Sequence, residues 1–128
     1  MTGREPGFTL IEVLVVLAIL GLLAAIAVPT FVGFSDRAAR GTVHTDLRNA
    51  ATAMEIWRAL SDNGLYPTEG ELTLPRTEPD VTLTIVVPGV GDDGQEFCIE
   101  GAHGRLDGGT VVATYDQRVG GLTDDDSC

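Results

Sequence analysis

The residues in this sequence that could do chemistry fall into four settings: Glu12 inside an uncharged stretch, the Gly7-Phe8 junction just before it, Cys98 and Cys128, and the aspartates at Asp92-Asp93 and Asp124-Asp125-Asp126. Glu12 is the most demanding of them. From Phe8 to Val28 it is the only ionisable side chain, and at about 1.5 Å per helical residue that run spans roughly 31 Å, the thickness of a bilayer hydrocarbon core. A lone carboxylate at that depth costs about 2.5 kcal/mol or more on insertion scales, so it marks a functional position.

Gly7-Phe8-Thr9-Leu10-Ile11-Glu12, continuing without charge through Val13-Leu14-Val15-Val16-Leu17-Ala18-Ile19-Leu20 to Pro29, resembles the N-terminus of type IV pilins and the related type II secretion pseudopilins. The resemblance is residue by residue from Gly7 to about Pro29 and architectural beyond it. It implies that 1–7 is a leader removed by a prepilin peptidase after Gly7. It also implies that Phe8 becomes the N-methylated first residue and that Glu12 is the glutamate used in subunit assembly. The leader, with Arg4 as its only basic residue, is too brief for an ordinary secretory signal, and no small-residue cleavage site follows the apolar run. A signal anchor explains the run but neither Glu12 nor the Gly7-Phe8 junction. Loop charge does not set the orientation, because Arg4 is offset by Glu5 while Arg37 and Arg40 lie on the other flank. The orientation rests on the resemblance.

These residues need a helix to hold them. Pro29 removes a backbone donor, which predicts a bend near it without ending the helix. Past it Val43, Leu47, Ala50, Met54 and Trp57 recur at alternating four- and three-residue steps, the stripe of an amphipathic helix that packs on a partner. Asn63-Gly64 and then Pro67 supply a stop, so the helix runs to about residue 62. Its length approaches about 80 Å at the helical rise, the proportions of a pilin spine. From Leu65 to Asp80 prolines and acids form a loop, with Leu74 to Glu78 reading as an exposed Pro-containing segment. Strands are expected at Val81–Val87, Gln95–Glu100 and Thr110–Asp116, with the glycines around them, Gly101 included, as turn residues. The fold class is therefore α+β: a long N-terminal helix, its membrane or filament-core part at 8–29, packed on a small antiparallel sheet within a head at 30–128.

Charge and composition narrow the function. A net charge of -11 disfavours gripping phosphate backbones, so no direct nucleic-acid binding is expected. All eight basic residues are arginine, and without lysine the chain has no amine side chain for sortase-type cross-linking. Cys98 and Cys128, an even pair in an exported domain with no zinc-type spacing, favour a disulfide; two free thiols would require a reducing compartment. The aspartate clusters lack the spacing of an EF-hand loop and read as solvated acidic segments. His44 and His103 stand far apart with no Ser or Cys in a hydrolase arrangement, so neither a catalyst nor a cofactor is expected.

The resemblance thus implies a structural subunit: a single-pass membrane precursor, extracted by an inner-membrane assembly platform into a helical homopolymer at the cell surface. A pseudopilin of type II secretion or a minor pilin of DNA uptake shares every N-terminal residue discussed. A surface binding module on a signal anchor is the alternative from another class.

Overall fold

The computed structural model describes residues 7–86 and 94–128. The chain divides into two units, Met1–Ser35 and Asp36–Cys128. A single helix, α1 (Leu10–Leu60), supplies most of the first unit and the first element of the second. Four strands follow: β1 (Val81–Val86), β2 (Cys98–His103), β3 (Val111–Asp116) and β4 (Gly121–Thr123).

In the first unit α1 is long and apolar enough to cross a membrane, and its apolar side chains from Leu10 to Phe31 are exposed, as is Phe34. The helix passes through Pro29. Beside the proline, the Thr30 hydroxyl donates to the Ala27 carbonyl at 2.8 Å. Such back-bonding supplies a partner for carbonyls in the turn that a proline crowds.

In the second unit the expected stripe is the core. Val43, Leu47, Ala50 and Met54 are buried completely, and they meet Val81, Ile85, Ile99, Val112 and Ala113 from the sheet. Trp57, which continues the periodicity, is only half-buried. The strands pair antiparallel in sequence order, β1-β2-β3-β4. Between Gly101 and Ala102 the β2–β3 register shifts, and a 3₁₀ turn at Asp107–Gly109 links those strands.

Three sequence expectations change. The second strand lies at Cys98–His103 and not at Gln95–Glu100, because Gly101 is a packing residue and not a turn. A Cβ there would stand 2.6 Å from Val43 Cγ1 and 3.1 Å from Leu47, so only glycine lets α1 approach the sheet this closely. A fourth strand, β4, was not expected: three residues bordered by glycine give no alternation to read, and its pairing of Tyr115 with Leu122 is set by β3. Val87, the last residue of the first expected strand, lies outside the described residues.

The C-terminal end of α1 follows the expected stop chemistry. Gly64 takes a left-handed φ of 65° that glycine adopts without strain. The Ser61 hydroxyl donates to the Arg58 and Leu65 carbonyls at 3.0 and 3.2 Å. These bonds serve carbonyls left open where the helical ladder stops.

Candidate functional site

Gly7, Phe8 and Thr9 precede α1 in a non-helical segment, and all three are exposed, Phe8 to 88 %. Nothing lies within 4 Å of the Cβ that Gly7 lacks. The Gly7-Phe8 peptide is therefore open to a protease, as cleavage there requires.

Thr9 is the cap that begins the helix. Its backbone N–H and its hydroxyl both donate to Glu12 Oε2 at 2.8 Å, and Glu12 N donates back to the Thr9 hydroxyl at 3.3 Å. This is a reciprocal capping box, with Thr at the cap and Glu three residues on. The sequence reading missed Thr9, although the Thr9-x-x-Glu12 spacing is a legible signal. The arrangement gives Glu12 two roles. One carboxylate oxygen closes the first helical turn, while Oε1 makes no hydrogen bond among the described residues and remains able to accept from a cation. In water either role is modest; in an apolar bundle an acid with one open oxygen needs a charged partner.

In the second unit, Cys98 and Cys128 form the expected disulfide, and the Cys128 N–H donates to Glu100 Oε1 at 3.0 Å, so the last residue is tied to β2 by two bonds. The aspartates Asp124, Asp125 and Asp126 are exposed, and Asp124 Oδ1 lies 2.9 Å from His44 Nε2 on α1. Asp92-Asp93 lies outside the described residues. Among those that are described, no group of three His, Cys, Asp or Glu side chains is placed to hold a metal ion. His103 is buried within the head: its Nδ1 accepts from the Arg105 N–H at 3.1 Å, and its Nε2 stands 3.5 Å from Glu78 Oε2.

Two polar clusters were not visible in the sequence. Asp46, buried on α1, accepts from the backbone N–H of Thr77 at 2.8 Å and from its hydroxyl, which anchors the Leu74–Glu78 segment expected to be merely exposed. Tyr66 joins three parts of the head: its hydroxyl donates to Glu55 Oε1 at 2.7 Å and accepts from Arg58 Nη1 at 3.1 Å and Gln117 Nε2 at 2.9 Å. Burial, with the Glu55 carboxylate beside it, raises the pKa of that phenol. Its ring meets Phe97 edge to face at 4.7 Å, and Phe97 stacks on Tyr115 at 5.9 Å. On β3, Asp116 accepts from Arg118 Nη2 at 2.9 Å and Nε at 3.1 Å, and this guanidinium holds its carboxyl below the usual range.

Residues 3–28 match the family model described as the prokaryotic N-terminal methylation motif. Across a longer stretch the chain is similar to type II secretion system core protein G of Klebsiella michiganensis, 33% identical over 102 residues that cover 80% of this chain and 65% of that protein. It is 38% identical to core protein G of Pectobacterium carotovorum subsp. carotovorum over 80% of this chain and 60% of that one. The type IV major pilin protein PilA of Myxococcus xanthus is 46% identical over 59 residues, covering 46% of this chain and 27% of the pilin. The chain thus spans less than two thirds of the length of these relatives. No solved structure matches it.

Proposed function

We propose, from the premise that residues 3–28 carry an N-terminal methylation motif of the pilin and pseudopilin kind, that this chain is a structural subunit of a type IV pilus-like filament and not a catalyst. In this reading a prepilin peptidase cuts after Gly7 and methylates Phe8. The apolar part of α1 holds the precursor in the membrane until an inner-membrane assembly platform extracts it into a cell-surface homopolymer. The observation that carries the reading is the open Gly7-Phe8 junction four residues before a capped glutamate in an otherwise uncharged helix. Cleavage creates a cationic N-terminus at the helix start, and Glu12 Oε1 accepts such an amine from a neighbouring subunit, which sets its axial register.

A second reading has its own support. The core protein G relatives match over 80% of this chain, head included, whereas the pilin match covers 46%. A pseudopilin of a type II secretion system therefore fits the head better than a surface pilus does.

Mass spectrometry of material sheared from the native host tests both. A mature N-terminus at methylated Phe8 in filament material supports the subunit reading. Intact Met1, or cleavage after Ala27 as by signal peptidase, overturns it. Deleting the gene then separates the two filament types: loss of surface fibres identifies a pilus, and loss of secreted proteins with fibres intact identifies a pseudopilus.

A further inference from the structure

We infer that the head carries a self-complementary pair of apolar contacts, in which Val119 of one copy seats in a groove formed by Ile56, Trp57, Leu60 and Leu72 of the next. This inference rests on the filament reading and names the surface by which adjacent heads meet. Copies carrying a net charge of -11 repel one another, so close approach of two heads is confined to places where apolar or cationic groups face out. Among the described residues of Asp36–Cys128, the large apolar side chains that stand exposed are Ile56 (55 %), Leu60 (80 %) and Val119 (68 %). Ile56 and Leu60 join Trp57 and Leu72 around a groove of about 300 Å³.

Groove and knob lie on opposite flanks of α1. With about 100° of turn per helical residue, Ile56, Trp57 and Leu60 fall on one side of the buried Met54 line, and Glu55 and Arg58 on the other. The second flank is where Tyr66 binds Glu55, Arg58 and Gln117, and Gln117 opens the turn that presents Val119. A knob on one flank and its receptor on the other make a head-to-tail contact that does not close, the geometry that propagates a fibre.

The rim charges match. Beside Val119, the Arg118 side chain is 41 % exposed while its partner Asp116 is 12 % exposed, so the turn presents its cation outward. The groove residues Ser61 and Leu72 are flanked in sequence by Asp62 and Glu71, both exposed, with Glu69 exposed nearby in the same loop. The groove's acidic rim thus suits the cationic turn of a second copy.

The test co-produces two full-length chains in the native host, one carrying Leu60→Cys and the other Val119→Cys, and analyses sheared filaments on non-reducing gels after mild oxidation. The mixed pair should yield linked dimers at least about tenfold above either variant alone, given the proximity a seated contact imposes. Filaments without this excess, or Leu60→Cys linked to a different protein, overturn the contact. Val119→Asp gives an independent reading: membrane level and the native disulfide should persist while filament yield falls about tenfold, the order expected when an apolar contact is replaced by like charge. Unchanged yield overturns the proposal. Absence of the wild-type chain from sheared filaments defeats the filament reading itself, and that result is visible before any variant is made.

Discussion

Glu12 carries opposing demands. As the acceptor of the capping box it stabilises the helix start, and as the lone acid of an apolar run it penalises burial without a cation. Glu12→Ala should leave membrane levels of the precursor unchanged or raised, since removing the charge favours insertion, while incorporation into filaments falls sharply. Comparing membrane and sheared-filament levels checks this, and equal filament yields would sink the pairing role. Thr9→Ala isolates the capping role. The substitution should cost about 0.5 to 2 kcal/mol at the helix start while leaving the Glu12 charge available to a neighbour. Asp116 makes a separate prediction. Arg118 holds its folded pKa below the unfolded value, so the stability it contributes is fully present above the unfolded carboxylate pKa of about 3.9. That contribution is lost as pH falls through the folded pKa. Unfolding of the detergent-solubilised chain across the acid range should show a steeper decline for wild type than for Asp116→Asn; superimposable profiles would contradict the assignment.

Elements owe their placement to a mixture of periodicity and contact. The stripe at Val43, Leu47, Ala50 and Met54 was readable because helical spacing alone puts those residues on one face. Trp57 shares the spacing but is half-buried, because burial depends on where the sheet ends beneath the helix. Gly101 shows the limit from the other side. By local rules it ends a strand, yet it lies mid-strand because Val43 and Leu47 occupy the space above it. Gly101→Ala should therefore destabilise the head by about 1 to 3 kcal/mol through overpacking. The combination Gly101→Ala with Val43→Ala should recover part of that loss, since the nearest clashing methyl is removed. Urea unfolding of the single and double variants measures the coupling, and strict additivity would argue against the close approach.

At the scale of the whole molecule, the disulfide ties the end of the chain to the sheet. Cys98 and Cys128 are 30 residues apart in sequence, and closing a loop of that size contributes about 3 to 4 kcal/mol in the chain-entropy treatment. The closed loop contains β3, β4 and the Val119 turn. Cys128→Ser should lower the unfolding midpoint of the full chain, and limited proteolysis should cut first within 117–128. A variant as resistant as wild type would show that β3–β4 pairing alone holds the tail.

What the sequence by itself determined is what contiguous residues encode. The Gly7-Phe8 junction, the membrane-length apolar run, the amphipathic stripe, the Asn63-Gly64 stop and the approximate positions of β1 and β3 each depend on neighbours within a turn or two. Even the Thr9 cap was present as a three-residue spacing. What only the tertiary structure decided joins residues far apart in the chain: Thr77 with Asp46, 31 positions away, and Gln117 with Tyr66, 51 positions away. Parity of the cysteines permitted a bridge, but β2 and the returning tail had to bring them together. The short β4, the shifted β2 and the Val119 turn belong to the same class. No local pattern specifies them, because their free energy comes from partners that the chain meets only after the sheet has closed over α1.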